Sequence, residues 1–278
     1  MAMIREQREG ALSGKVALVT GSARGLGKTT ALRLAALGCD IAVNYVRSAE
    51  EAESLAARIR DMGVRSVALQ GDVSDPAQPA RLVEAVRETL GGIDILVNNA
   101  GPFVRERRRF ADYAEEEIDA LVHGNFLGVM RLDRLALPDM RRRGWGRIVH
   151  FGFGRAGEAR GWPHRAVYAA AKVGLVSFTK TLAVEEAAFG ITVNMVCPGD
   201  IKGANKELSI GDVAGQFDAE SPGGRPGTGE DVARVVAFLC DPMSDYVTGN
   251  IIDVTGGLDP IRNQIPPDAD RAGNAKKT

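Results

Sequence analysis

The sequence predicts a single-domain α/β protein built on a doubly wound parallel sheet with helices on both faces. Three observations carry this reading. Short apolar runs alternate with stretches of helical periodicity along nearly the whole chain; such alternation implies right-handed crossovers that cover both faces of a sheet. The first apolar run passes through a glycine-rich turn directly into a helical pattern. No internal repeat or change of composition divides the 278 residues, a length that one large α/β domain fills.

Residues 1–13 are polar and charged and read as an N-terminal arm; 14–258 read as the domain, and 259–278 as a Pro- and Asp-rich tail without a core pattern. Lys15 to Thr20 is a buried parallel strand by its unbroken apolar run. It enters Gly21-Ser22-Ala23-Arg24-Gly25-Leu26-Gly27, and a helix follows over 28–37. Strand, glycine turn and helix in that order form the setting of a dinucleotide fingerprint. The glycines let the backbone approach a diphosphate, whose charge rests at the helix N-terminus.

A second strand over 39–45 precedes a helix over 48–62, and a third over 66–70 ends at Gly71-Asp72-Val73. After a helix reaching Leu90, a strand over 93–97 ends in Asn98-Asn99-Ala100-Gly101. One long helix is expected over 113–143, kinked at Pro138. Its last residues, Arg141 to Arg143, suit the negative end of the helix dipole and call for no other explanation. Strands over 147–151 and 192–197 flank an alanine-rich helix over 166–189, and a last helix over 230–239 precedes a strand over 250–254.

Composition narrows the function. With 45% hydrophobic and 26% charged residues the chain can bury a full core. A formal net charge of −1 gives no reason to expect nucleic acid or an anionic membrane surface. Cys39, Cys197 and Cys240 are odd in number and far apart, which favours free buried thiols over a zinc site or disulfides. There is no signal-peptide core and no apolar run expected to span a bilayer, so the reading is a cytoplasmic protein without a membrane partner.

Within the alanine-rich helix, Tyr168 and Lys172 are four residues apart and share a face. An ammonium beside a phenol favours the phenolate, so Tyr168 is expected to titrate below the usual tyrosine value and to serve as a proton donor to a carbonyl.

Taken together, the TGSARGLG turn, Asp72, the NNAG turn, Asn125, YAAAK, Pro198-Gly199 and the closing TGG at 255–257 resemble the short-chain dehydrogenase/reductase family over about 12–258. The resemblance implies a Rossmann-type domain that binds NAD or NADP at the carboxyl ends of its strands. Tyr168 would be the acid/base, Lys172 would bind the nicotinamide ribose and tune Tyr168, and Asn125 would hold a relay water. The cofactor would lie against Gly21, Ser22, Arg24, Gly25, Leu26 and Gly27, then Tyr45, Arg47 and Ser48. It would continue past Asp72 and Val73 to Asn99, Ala100 and Gly101, and end near Pro198, Gly199 and Ile201. The second strand ends without the carboxylate that usually takes the ribose 2′-hydroxyl, and Arg24 and Arg47 could reach a 2′-phosphate, so NADP is expected.

The chain also departs from the family pattern. The family's catalytic serine would fall at Phe153, and residues 148–167 contain no Ser, Thr or Tyr. Gly203 stands near the place of the threonine that normally follows the proline-glycine pair. Phe153, Arg155 and Trp162 are the expected substrate contacts. If the helix starts at Pro163, His164 forms a stripe with Tyr168 and Lys172 and is the first candidate for a replacement donor. His150 is expected to be packed or hydrogen-bonded in the sheet, and His123 carries no signal. The arginines of 105–109 follow NNAG, near the family's substrate entrance, although a solvated loop is the plainer reading.

The expected function is hydride transfer between NADP(H) and a small carbonyl/alcohol substrate. The alternatives are a cofactor-binding sensor or scaffold without turnover, and a lyase or isomerase using the same tyrosine. A homodimer or homotetramer is expected, with Phe126, Val129, Leu132, Leu135, Val176 and Leu182 partly supplying its surfaces.

Overall fold

A computed structural model describes residues 10–104 and 106–261, which form one seven-stranded parallel sheet in the order β3-β2-β1-β4-β5-β6-β7. The strands are β1 (Val16–Val19), β2 (Asp40–Tyr45), β3 (Ser66–Gln70), β4 (Ile95–Asn98), β5 (Gly146–Phe151), β6 (Ile191–Pro198) and β7 (Ile251–Val254). The helices are α1 (Gly25–Ala35), α2 (Ala49–Asp61), α3 (Gln78–Leu90), α4 (Glu115–Val122), α5 (Gly128–Arg143), α6 (Ala166–Glu186) and α7 (Gly229–Cys240).

Because successive side chains in a strand point to opposite faces, each strand serves two cores. Val19, Val43, Val97, Val149 and Phe151 pack under α1, α2 and α7. Leu18, Leu96, Ile148 and Val193 pack under α3, α5 and α6. Strand β1 pairs with β2 on one side and β4 on the other, so the strand order reverses there. A crevice opens at such a reversal, outside the carboxyl ends of the strands. All three cysteines are free and buried.

Several expectations are corrected. Residues 1–9 and 262–278 lie outside the described residues, but both inner margins belong to the packed body. Leu12 is fully buried and donates its backbone N–H to Leu37 O at 2.9 Å. Ile261 is buried beside Phe153, and Asp259 pairs with Arg160 at 2.7 Å. The long helix is interrupted by a π-helical turn, His123–Leu127, rather than at Pro138, through which α5 continues. Arg141, Arg142 and Arg143 do more than face a dipole, since they pair with Glu186, Asp139 and Asp94.

Helix α6, with its 3₁₀ extension to Phe189, is long and apolar enough by composition to cross a bilayer, contrary to expectation. It lies instead against the sheet, burying Leu175, Val176, Leu182 and Ala183 there. Of the residues expected to supply an oligomer surface, Val129, Leu132, Val176 and Leu182 are buried within their own chain.

Leu12 carries a consequence that its charged surroundings hide. Leu12→Ala is expected to lower stability by about 2–5 kcal/mol, the usual cost of emptying a buried leucine site. Chemical denaturation measures it; a change below about 1 kcal/mol would place residue 12 outside the core.

Candidate active site

The site assembles at the β1/β4 crevice because two turns are tied to each other. The Thr20 hydroxyl accepts from the backbone N–H of Asn99 at 3.0 Å and of Ala100 at 2.9 Å, while donating to Val97 O. The Asn99 side-chain amide donates to Thr20 O and Gly21 O at 2.8 and 3.2 Å. A Cβ at Gly27 would stand 2.7 Å from both that amide nitrogen and Gly21 O, so only glycine fits.

From the other side, buried Asn44 accepts from Gly21 N at 3.0 Å and donates to Gly71 O at 3.0 Å. The Ser22 hydroxyl is spent on Val19 O at 2.7 Å. The glycine turn is thereby rigid and opens at the N-terminus of α1, where the N–H groups of the first turn and the helix dipole favour an anion. Leu26 is half-buried there, and Arg24 caps the helix with its side chain exposed.

The end of β2 and its loop bring half-buried Tyr45 and Ser48 and exposed Arg47 beside that opening. Asp72 is half-buried, and its carboxylate accepts from the backbone N–H and hydroxyl of Ser74 at 2.9 and 2.6 Å. Val73 is buried in the core next to it. Beyond β6, Gly199 lies so close to Thr255 that a Cβ would stand 2.9 Å from its Cα, and Ile201 is buried below. Pro198 and Gly199 therefore fix where the chain leaves the sheet. Gly203, with φ near +49°, opens a 3₁₀ turn to Glu207.

The π-turn positions Asn125. Its side-chain amide donates to Pro102 O at 2.9 Å and Leu121 O at 3.0 Å, while its Oδ1 is buried without a partner among the described residues. A Cβ at Gly101 would meet that oxygen at 2.3 Å, which explains the glycine. A π-turn inserted at such a point commonly marks a functional position.

Tyr168 and Lys172 stand on one face of α6, but the ammonium is not hydrogen-bonded to the phenol. Lys172 is almost fully buried and donates to Phe151 O at 2.7 Å, with its Nζ 6.0 Å from the Tyr168 ring centre. Burial pushes Lys172 down to about 8. It also pushes the half-buried Tyr168 well above the usual tyrosine value, aided by nearby Cys197. The expected lowering by the lysine is therefore reversed, because the cost of stripping water from the phenolate exceeds the attraction of a partly discharged amine.

Three aromatic rings surround Tyr168: Phe103 edge-on at 5.0 Å, Phe153 at 6.0 Å and Trp162 at 6.2 Å. Phe153 and Trp162 also touch each other at 4.7 Å, so Phe153 acts as a buried wall. The loop from Gly152 to Arg165 holds all three non-glycine residues with left-handed backbone among those described: Arg155, Ala159 and His164. Each costs on the order of 1 kcal/mol or more.

This geometry overturns the stripe argument for His164. The helix begins at Ala166, and His164 lies before it with φ near +63°, so it shares no helical face with Tyr168. Arg155 is drawn to Glu158 at 3.0 Å. Arg105 lies outside the described residues. Arg108 is paired with Glu117, and the Arg165 guanidinium is held by the Glu106 carbonyl over the Phe103 ring.

Sequence reasoning missed Glu207. Its carboxylate accepts from Gly25 N at 2.7 Å and from Lys28 Nζ at 2.6 Å, sitting at the mouth of the glycine turn. Burial opposes its charge, but the Gly25 amide and Lys28 together hold its carboxyl below the usual value. Glutamates on an irregular segment are common, and no spacing marks this one.

Comparison with known proteins extends these findings. Residues 21–259 match the family model described as Enoyl-(Acyl carrier protein) reductase. The chain is 46% identical over 250 residues to YtkK of Bacillus subtilis (strain 168), named as an oxidoreductase, covering 89% of this chain and 98% of that one. It is 37% identical over 244 residues to the 3-oxoacyl-[acyl-carrier-protein] reductase FabG of Staphylococcus aureus (strain Mu50), covering 88% and 98%. Among solved structures, one from Bacillus thuringiensis described as a 3-oxoacyl-reductase superposes with a TM-score of 0.84 at 44% identity, covering 89% and 99%. A blue fluorescent protein from a metagenomic library, in complex with NADPH, superposes with a TM-score of 0.78 at 37% identity, covering 89% and 98%.

The tie between the two turns has a measurable strength. Thr20→Val keeps the shape but removes the acceptor of two amides, and is expected to cost about 1–3 kcal/mol in denaturation experiments. No loss of stability would mean that the two turns hold together without that hydroxyl.

Proposed function

The chain belongs to the short-chain dehydrogenase/reductase family, and from that premise we propose that it is an NADPH-dependent reductase of a small carbonyl compound. It is an oxidoreductase of that family. The observation that carries the finer reading is Lys172 held on the Phe151 carbonyl, one turn from Tyr168 on α6.

The residues present fit a nicotinamide dinucleotide. The N-terminus of α1 suits the diphosphate. Lys172 has three N–H donors and the Phe151 carbonyl as acceptor, leaving donors for ribose hydroxyls. Arg24 and Arg47 follow adjacent strands, and no carboxylate stands over 43–48, which supports the 2′-phosphate form. When bound, the cofactor supplies the hydride. Tyr168 holds a proton at Oη near neutral pH and delivers it to the substrate oxygen, a state suited to reduction more than to alcohol oxidation. Asn125, with its buried unpartnered Oδ1, supports the relay.

Phe103, Phe153 and Trp162 exclude water and select an apolar substrate flank. With Phe153 in place of a hydroxyl donor, Tyr168 carries the substrate oxygen with less help. That favours a second reading, a cofactor-binding protein with little turnover.

Screening carbonyl compounds for NADPH oxidation decides between them. Tyr168→Phe is expected to abolish any turnover found while leaving NADPH affinity unchanged. If no carbonyl is reduced and Phe153→Ser creates activity, the binding-protein reading stands. By fluorescence titration, NADPH is expected to bind at least about tenfold tighter than NADH, a difference of about 1.4 kcal/mol. Equal affinity would overturn the assignment of NADP.

Two further outcomes follow from charge. Glu207 holds the Gly25 amide that a diphosphate would use, so Glu207→Gln is expected to tighten NADPH binding by about tenfold. An unchanged constant would show that the carboxylate does not compete. Lys172 keeps its charge below about 8 and loses it above. NADPH affinity is therefore expected to fall as pH rises through that value, and a flat profile would mean that Lys172 titrates elsewhere.

A further inference from the structure

Beneath the site lies a buried polar cluster that the proposed reaction does not use. Asn98, Asp133, His150 and Thr179 come from β4, α5, β5 and α6, and each is at most 1% exposed. The Asn98 amide donates to Asp133 Oδ1 at 2.8 Å, and His150 Nε2 lies 2.8 Å from Asp133 Oδ2. His150 Nδ1 lies 2.8 Å from Thr179 Oγ1, which itself donates to Leu175 O at 2.7 Å. Phe178 stacks on the imidazole at 6.0 Å.

Counting hydrogens fixes the charge of this cluster. Thr179 has one hydroxyl hydrogen, and Leu175 O takes it, so His150 Nδ1 must carry a proton to donate. The contact between Nε2 and Asp133 Oδ2 needs a second proton, because a bare nitrogen lone pair facing a carboxylate would be repelled. One proton on Nδ1 and one between Nε2 and Oδ2 make the unit neutral overall, as burial demands.

The cluster's location gives it a task. His150 and Phe151 are successive residues of β5: the first binds Thr179, and the carbonyl of the second binds Lys172. Thr179 and Lys172 are two turns apart on one face of α6. We propose that Asp133 and His150 form a charge-balanced pair that positions Lys172, and through it Tyr168, by fixing α6 against β5. Both are positioning residues, since neither touches the phenol or the amine. The inference rests on the proposed roles of Lys172 and Tyr168 only for its meaning. Its test needs neither cofactor nor substrate.

Two NMR measurements on the full chain test it. With ¹⁵N-labelled histidine, His150 is expected to show a slowly exchanging proton on Nδ1, as its bond to Thr179 requires. Its absence overturns the pair. The second measurement follows the Lys172 Cε signal with pH; the titratable groups that act on this amine and its neighbours are Tyr168, Cys197 and Asp253.

His150→Leu is expected to move the Lys172 midpoint upward by about one unit or more, toward the ordinary lysine value, as the amine gains water. Asp133→Asn keeps every hydrogen bond with a neutral imidazole and is expected to leave the midpoint unchanged. Should His150→Leu alone fail to fold, combining it with Asp133→Leu leaves no uncompensated charge behind. That double variant is also expected to raise the midpoint. If the double variant folds with the native Lys172 midpoint, the pair serves stability alone and the proposal fails. Absence of NADPH binding in the native chain would overturn the cofactor reading without touching either NMR result.

Discussion

An ammonium group set against a single backbone carbonyl, with almost no water around it, is the constraint on which the rest of the site depends. The Lys172 bond to Phe151 O joins the first third of α6 to the end of β5. It also sets the height of Tyr168 above the sheet. Burial sufficient to exclude water from the phenol is also sufficient to weaken the lysine's charge, so the two side chains adjust each other through solvent exclusion more than by direct attraction. The surrounding aromatic rings, the buried Asp133–His150 pair and the segment ending at Ile261 all maintain that exclusion.

The architecture was legible in the sequence because its signals are local. Glycine-bounded apolar runs gave the strands, and all seven fall where expected to within about two residues, the ordinary scatter of element ends. The ordered motifs point to the family, and two of them, the glycine turn and the NNAG turn, meet through Thr20 and Asn99. Asn44 is not legible as a structural residue, since a polar residue ending a strand does not reveal which backbone it will bind.

What was not legible depended on backbone geometry or on contacts between distant segments. The helix begins at Ala166 as its alanine-rich run implies, but the start at Pro163 on which His164 depends lies three residues too early, because left-handed backbone at His164 leaves no mark in a non-glycine sequence. That shift removed the helical argument for His164. The direction of Tyr168's titration is not legible, because spacing reveals which groups are neighbours but not how much water remains between them. Glu207 and the Asp133–His150 pair join residues far apart in the chain, and neither has a spacing to recognise.

The π-turn at His123–Leu127 carries a further consequence, for how this chain can tolerate insertions and deletions. Such a turn is a helix that has accommodated one surplus residue. Removing a single residue from it would restore regular α geometry and leave the faces of α4 and α5 nearly in their present phase, since the wider turn absorbs the surplus residue locally. Leu121 would keep its packing against Val167, and Leu132 and Met140 theirs on the sheet, while Asn125 would lose the turn that aims its amide at Pro102 O and Leu121 O. The packing of the two helices therefore tolerates a one-residue change of length here, and what a shorter relative would have to rebuild is the placement of Asn125.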